Sequence, residues 1–516
     1  MLSNSGLVLI GALSALLLVR YFAQALHHRR QSKALHCEPA REGPTAFFGI
    51  PAFIQLCKAV REKTWIDYLT QEFELYGNTF RNQLLNRSLL ATIEPENIKA
   101  ILATQFKDFN LGTRHQHFYP LLGDGIFTLD GEGWAHARGL LRPQFTRDQV
   151  ADLSMLDDHI SNLIDLVPKD RSSFDIQRLF FLLTLDSATH FLFGESVGCM
   201  RPSETTGVLE KCAVGSAQGF ADAFGLAQDY IASRSRAQSL YWLINPKEFR
   251  EANRRVHEVV DHYVHIALES KHNPDKKKAD DRYIFLEALA ADTDDPKELR
   301  DNMLNILLAG RDTTASLLSS TFFYLARHPH AWNRLRQEIV DTFGDAKNPR
   351  SEITHTKLKD IAYLRYVLNE TLRLQPPVPF NFRIATRDTS LPVGGGPDGL
   401  SPIYVKKNTS VAYGVFAMHR RTDLWGADAA FFRPERWEEN AKHGWEYLPF
   451  NGGPRICLGQ QYALAEASYT VVRLMQHFDT LENADPHPRH EPIKLSTVTM
   501  SHDLGVAIRL YSSDQI

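Results

Sequence analysis

The sequence predicts a mainly α-helical fold with small β-sheet regions, on three observations. Residues 296–327 read as one helix: Asp295 is the N-cap, Pro296 takes the first helical position, Glu298 completes a capping box and Pro329 stops the run. At 1.5 Å per residue such a helix is roughly 48 Å long, enough to cross a domain. A second helix is predicted over residues 458–478, where Ala463, Ala467, Val471, Leu474 and Phe478 recur at helical spacing. The strand-like stretches, such as 88–93 and 402–405, are short, scattered and set in no repeat.

At 516 residues, 43% hydrophobic and 23% charged, the chain has a globular composition, and its formal net charge of -3 argues against a nucleic-acid partner. Cysteines 37, 57, 199, 212 and 457 are too scattered for a disulfide framework and form no C-x-x-C pair, which predicts reduced thiols facing the cytosol. Residues 2–19 carry no charge, and Arg20, His27, His28, Arg29, Arg30 and Lys33 follow. An apolar run with its basic flank downstream predicts a single-pass N-terminal membrane anchor over residues 1–33. Ala23-Gln24-Ala25 offers the rival reading of a cleaved signal peptide, but no basic residue precedes the apolar core. Residues 34–51, with Pro39, Gly43, Pro44 and Pro51, read as a stiff linker into a main domain at 52–516.

Within that domain, residues 106–126 read as a long polar-aromatic loop. Trp134 and Arg138 follow at i, i+4 and share a helix face, with Arg142 and Arg147 adding positive charge nearby. Helices dominate 151–270, and 271–282 with its three consecutive lysines reads as a solvated linker. Residues 360–374 read as a helix carrying Glu370 and Arg373 at i, i+3, a spacing that most often marks an ordinary surface pair, with Arg383 ten residues after Arg373. Gly394, Gly396 and Gly399 spell G-x-G-x-x-G, but a strand follows where a dinucleotide site needs a helix, so this is a hairpin loop.

Two stretches carry chemistry. The centre of the 296–327 helix reads Ala309-Gly310-Arg311-Asp312-Thr313-Thr314, poor helix formers in a strong helix, which predicts a functional break. There a small residue would leave room, while the Asp312 carboxylate and Thr313 hydroxyl would offer a proton path. A close-packing glycine with solvent-facing polar neighbours explains the same residues equally well. The second stretch is Phe450, Gly453, Arg455, Cys457 and Gly459 in the spacing Phe-x-x-Gly-x-Arg-x-Cys-x-Gly. It sets Cys457 at a helix N-terminus, where unpaired N–H groups and the positive dipole end are expected to lower the thiol pKa. Gly452 to Pro454 make a tight turn, Gly459 allows close backbone approach, and Arg455 reaches for an anionic group.

That spacing resembles the haem-binding signature of the cytochrome P450 superfamily. The series Trp134/Arg138, 309–314, Glu370/Arg373, Arg383, 433–437 and 450–459 extends the resemblance over nearly the whole chain after the anchor. The resemblance implies the cytochrome P450 fold, with haem b between the 296–327 helix and the helix after Cys457. Cys457 would be the iron ligand. Trp134, Arg138, Arg383 and Arg455 would contact the haem propionates, with Phe450 and Gly459 completing the cofactor loop. Glu370, Arg373 and Arg436 would form a buried cluster supporting it. Asp312 and Thr313 would be the acid–alcohol pair of oxygen activation.

Residues 106–112, 122–134, 174–177, 191–197 and 394–396 are similar to the fungal branch that hydroxylates n-alkanes and fatty acids. One departure is Phe380, where members of that branch often carry a basic residue ahead of Asn-x-Arg. An apolar substrate channel is expected from Phe127, Ile306, Ala309, Val378, Phe380 and Val498. No flavin or nicotinamide domain fits in the chain, so electrons from NADPH would come through a separate NADPH-cytochrome P450 reductase, with Arg142 and Arg147 as a candidate dock. The expected activity is dioxygen-dependent hydroxylation of a hydrophobic small molecule at the endoplasmic reticulum membrane, catalytic domain in the cytosol. The rivals are a cytochrome P450 acting on a secondary-metabolite intermediate, a haem-thiolate isomerase or dehydratase needing no reductase, and a haem-binding sensor or carrier.

Overall fold

The computed structural model describes residues 4–43, 49–84, 87–145, 153–201, 209, 212–272, 283–440, 443–487 and 489–512. Arg147 and the lysine-rich 273–282 stretch lie outside the described residues. The chain forms two compact units, one of Met1–Asn110, Phe380–Met418 and Gly452–Arg455, the other of Leu111–Pro379, His419–Asn451 and Ile456–Ile516.

The first unit is built on a six-stranded sheet. Its spatial order is Arg41–Glu42, Thr79–Leu84, Arg87–Thr92, Ser410–Gly414, Phe380–Ala385, Phe109–Asn110. The predicted strand at 88–93 is found as Arg87–Thr92, antiparallel to Thr79–Leu84, which the weak alternation of its residues had hidden. Within the stretch 34–51, Arg41–Glu42 pairs in parallel with Thr79–Leu84, and the Glu38 N–H donates to the Pro402 carbonyl at 2.8 Å. The glycine-rich segment is a hairpin loop as expected, between Thr389–Gly395 and Ser401–Val405. Gly394 sits there at φ 109° with the Thr79 side chain 2.6 Å from where a Cβ would stand, so no other residue fits.

Helix Asn4–Ala34 leads this unit. His28 Nδ1 lies 3.1 Å from the Tyr404 hydroxyl and 3.3 Å from Asp388 Oδ2, which ties the helix to the hairpin. Leu13, Leu16, Leu17, Leu18, Val19, Tyr21 and Phe22 are all exposed. Among the described residues no helix is long and apolar enough to cross a membrane. Residues 1–3 and the side chains of 4–11, half of the predicted apolar run, lie outside the described set.

The second unit is helical, with small sheets at its edges. Its axis is helix Pro296–Arg327, N-capped by Asp295, whose carboxylate accepts the Lys297 N–H at 2.9 Å, a cap of about 1 kcal/mol. The expected capping box does not close. The Asp295 N–H donates to Thr293 Oγ1, and Glu298 accepts from the Thr293 hydroxyl at 2.7 Å and lies 2.8 Å from His136 Nε2. The predicted break is also absent: the helix is continuous through Gly310. Burial of most of its side chains outweighs a propensity cost of about 1 kcal/mol for that glycine.

Two apolar clusters divide this helix. Leu299 to Leu308 pack with helices Ala217–Ala237, Lys247–His272 and Phe285–Asp292. Ala315 to Ala326 pack with Ser154–Asp165, Pro329–Phe343, Ala362–Leu374 and Gln460–His477. Residues 309–314 belong to neither cluster, so the polar centre of the helix is a seam between two cores. The stretch 106–126, expected as a loop, holds a short 3-10 turn, strand Phe109–Asn110 and helix Arg114–Leu122. That helix includes Pro120 and buries His117, Leu121 and Leu122, so tertiary packing overrides the breaker signals.

Candidate active site

The cysteine loop is shaped by its own backbone. Asn451 and Gly453 take left-handed conformations at φ 64° and 68°. A Cβ on Gly453 would stand 1.9 Å from the Leu102 carbonyl oxygen, so that glycine is obligatory. The Cys457 N–H donates to the Phe450 carbonyl at 3.0 Å, closing the turn, and helix Gln460–His477 begins three residues later. The Cys457 thiol is solvent-exposed, but enough protein surrounds it that burial pushes its pKa up, while the Gly459 N–H and the Arg138 guanidinium pull it down. The expected lowering by the helix start is thus outweighed by burial, and ligation to a cation is what would deprotonate this sulfur.

Trp134 and Arg138 do share a face of helix Gly131–Leu141, with the guanidinium 5.8 Å from the indole centroid and donating to the Ile456 carbonyl at 3.0 Å. Arg383, 3% exposed on strand Phe380–Ala385 of the first unit, donates to Asn381 Oδ1 and the Phe382 carbonyl. Among the described residues no carboxylate lies within ion-pair range of this buried cation, whose charge suits an anionic group. Arg455 lies in the 3-10 turn Gly453–Arg455 of the same unit.

Glu370, Arg373 and Arg436 form the expected cluster. Glu370 and Arg373 are fully buried and Arg436 is 6% exposed. The Glu370 carboxylate accepts from Arg373 Nε and Nη2 at 2.9 and 2.8 Å, Arg436 Nε at 2.9 Å, Trp437 Nε1 at 3.1 Å and the Arg433 N–H at 2.9 Å. Arg373 also donates to the carbonyls of His419 and Ala429. His419, which no local motif marked, connects the cluster to the cysteine loop. Its Nε2 accepts the Leu448 N–H at 2.9 Å, so Nδ1 carries the hydrogen and donates to the Arg373 carbonyl at 3.0 Å. Burial and the Arg373 charge push its pKa down to about 3, so the ring is neutral.

At the seam of the long helix, the Thr313 hydroxyl donates to the Ala309 carbonyl at 2.7 Å, leaving its lone pairs to accept. Asp312 is 5% exposed, and its Oδ2 accepts from Gln228 Nε2 at 2.7 Å. Its Oδ1 has no hydrogen-bond partner among the described residues and lies 3.6 Å from Arg311 Nη1. Burial raises the Asp312 pKa against the pull of Arg311 and Gln228. Consecutive positions point apart on a helix, and the structure makes no hydrogen bond between Asp312 and Thr313. Next to them Glu466 accepts from Ser187 Oγ at 2.5 Å, and burial pushes its pKa up to about 7.

Ile306 is buried in the apolar cluster on the N-terminal side of the seam, Phe127 and Val498 pack against that cluster, and Ala309 lies about one turn beyond Ile306. Phe127 is held by Asn305, whose carboxamide accepts the Phe127 N–H at 3.1 Å and donates to the Leu122 carbonyl at 3.0 Å. Val378 is 38% exposed at the end of this unit, whereas Phe380 belongs to the first unit, its ring 5.8 Å from that of Trp65.

A solvent-exposed thiol behind a helix start, with the Arg138 guanidinium beside it, suits the thiolate ligation of an iron-bearing macrocycle with anionic edges, the chemistry of a haem-thiolate protein. The chain belongs to the cytochrome P450 family, whose profile it matches over residues 44–505. It is accordingly a haem-thiolate monooxygenase that uses haem b, dioxygen, a hydrophobic substrate and electrons from a redox partner. It is 49% identical to Cytochrome P450 52A12 of Debaryomyces hansenii over 483 residues, 93% of each chain. It is 48% identical to Cytochrome P450 52A3-A of Candida maltosa over 498 residues, 95% of each chain. Cytochrome P450 52A1 of Candida tropicalis is 51% identical over 440 residues, 84% of this chain and 80% of that one.

Proposed function

We propose that this monooxygenase hydroxylates long unbranched apolar chains, alkanes or fatty acids, at or near the chain end. The observation that carries the reading is the apolar cluster that buries Ile306, has Phe127 and Val498 packed against it and reaches Leu308, one residue before the small Ala309 and about a turn before Thr313. Similarity to the yeast 52A proteins along almost the whole chain supports it.

Haem, when bound, supplies dioxygen activation and the oxidising power. Cys457 would ligate the iron, with Phe450 and Gly459 shaping its loop, and Trp134, Arg138, Arg383 and Arg455 would hold the propionates. Glu370, Arg373 and Arg436 would brace the loop from behind. The small Ala309 would leave room over the cofactor. The apolar side chains would orient the substrate and exclude water, while Asp312 and Thr313 would hold and move protons, with water between them. Phe380 and Val378 would extend an apolar channel without a charge for a carboxylate, so neutral alkanes should compete well with free acids.

We take residues 1–33 as an anchor in the endoplasmic reticulum membrane, 34–51 as the lead into the cytosolic domain, and NADPH-cytochrome P450 reductase as the electron donor. The row of exposed apolar side chains from Leu13 to Phe22 supports the anchor. The test supplies alkanes, fatty acids and compact polycyclic compounds to membranes with reductase and NADPH, and identifies products. Terminally hydroxylated chains are expected. Oxidation of the polycyclic compounds alone would overturn the substrate assignment. Removing residues 1–33 should release haem-loaded protein into the soluble fraction.

A further inference from the structure

We propose that Gln228 is a positioning residue that clamps the Asp312 carboxyl to helix Ala217–Ala237 and so governs how that acid takes up and releases protons. The inference rests on the proton-moving role proposed above for Asp312.

The side chain is buried, 3% exposed, and its two ends are fixed by opposite demands. Arg311 Nη1 donates to Gln228 Oε1 at 3.2 Å, and Gln228 Nε2 donates to Asp312 Oδ2 at 2.7 Å. Arginine has only donors and an ionised aspartate only acceptors, so the carboxamide can sit in one orientation. Arg311 is itself held between aromatic rings, its guanidinium 5.8 Å from the Phe181 centroid and 5.6 Å from that of Phe224. The amide thus links the two charged side chains through Oδ2, while the direct Arg311–Asp312 ion pair to Oδ1 is a longer 3.6 Å.

This arrangement suits a carboxyl that must change protonation state. A bidentate arginine pair would saturate both oxygens and lock the ionised form. The carboxamide satisfies one oxygen and leaves Oδ1 open to a proton. The other charged groups around the carboxyl are Arg311 on its own helix and Asp229 beside Gln228, and Arg236 balances Asp229. Burial favours the neutral acid, while Arg311 and the Gln228 hydrogen bond favour the ionised one; the Asp312 charge in turn raises the Asp229 pKa. Removing the Gln228 N–H removes a donor to the ionised form, so the protonated acid gains.

The experiment uses the full-length, haem-loaded protein as Gln228→Ala, Gln228→Glu, Asp312→Asn and the Ala/Asn double variant. Gln228→Glu keeps the side-chain volume and loses the N–H, so it serves if the alanine variant fails to load haem. An unchanged carbon monoxide difference band reports intact fold and ligation. Infrared pH titration of the protonated carboxyl band that Asp312→Asn deletes reads the clamp directly. Either Gln228 variant should move that titration upward by about one pH unit, tenfold in the protonation equilibrium. Product formed per NADPH should fall several-fold, and the double variant should be no worse than Asp312→Asn alone. A wild-type titration in both Gln228 variants would overturn the clamp. Normal coupling in Asp312→Asn would instead overturn the proton-moving role, with the infrared titration still deciding on the clamp.

Discussion

Two buried acids, each set among arginines, mark opposite ends of what a protein does with a buried charge. Glu370 is wholly buried and takes hydrogen bonds from five donors, two guanidinium groups, an indole and a main-chain N–H among them. Asp312 is nearly as buried, yet among the described residues one carboxamide bonds it, and its other oxygen has no hydrogen bond, only the Arg311 guanidinium at 3.6 Å. A buried acid saturated with hydrogen bonds holds structure together, whereas burial raises the pKa of the under-satisfied Asp312 and so favours its taking a proton. That difference, rather than burial or residue type, is the basis for proposing Glu370 as a brace and Asp312 as a proton-moving group.

The largest expected effect comes from breaking the brace. Glu370→Ala leaves Arg373 and Arg436 buried without their carboxylate, which typically costs about 3–5 kcal/mol. Against a usual total of roughly 5–15 kcal/mol, the variant should fail to accumulate haem-loaded protein. Absence of the carbon monoxide difference band checks this. A folded, loaded variant that merely turns over slowly would move Glu370 to the other class.

Asp312→Asn should do the reverse. Asparagine still accepts from Gln228, so the fold is kept, but it can neither bind nor release a proton. Product formation should fall roughly 10²-fold, the lower end of what a positioned acid contributes. Stability should hold or rise at neutral pH. Because burial raises the folded-state pKa of Asp312, the unfolded chain ionises first, and the native state loses stability as pH rises above the ordinary carboxylate range. The variant removes that loss, which chemical denaturation at pH 5 and pH 8 would reveal.

The sequence showed the shared helix face of Glu370 and Arg373 but, without the family resemblance, suggested no more than a surface pair, because Arg436 joins Glu370 across 66 residues; the environment of Asp312 was not legible at all. Glu370 and Arg373 stand three apart on one helix, and Asp295, Pro296 and Pro329 bound the long helix, so local rules reach them. Gln228 meets Asp312 across 84 residues and His419 meets Arg373 across 46, contacts with no local spacing to announce them. The same limit explains the other differences. Thr293 diverted Glu298 from the capping box, tertiary burial carried the helix through Gly310, and burial outweighed the helix start at the Cys457 thiol. Each is a long-range or neighbouring contact overriding a short-range preference.

His419 tests the brace through pH. Its folded pKa of about 3 lies below the ordinary histidine value, so the unfolded state binds the proton first as pH falls. Its contribution is complete above about pH 6.5 and is lost toward pH 3, at roughly 1.4 kcal/mol per pH unit. Wild type should therefore lose more stability between pH 7 and pH 5 than His419→Gln does. Equal losses in urea unfolding would show that the ring is not the neutral bridge its hydrogen bonds describe.

The smallest effect should come from the outer edge of the brace. Asp428 Oδ2 lies 2.7 Å from Arg433 Nε and 3.3 Å from Arg436 Nη2 as ion pairs, so it contacts an arginine that Glu370 also holds. Its side chain is 39% exposed, however, and water can replace what it gives. Exposed pairs are typically worth about 0–1 kcal/mol, and Asp428→Asn keeps an acceptor in place. Haem loading and turnover should match wild type, with an unfolding midpoint only slightly lower and the difference shrinking as salt is added. A loss approaching that of Glu370→Ala would mean that the two carboxylates brace the loop as one unit and that exposure does not discriminate between them.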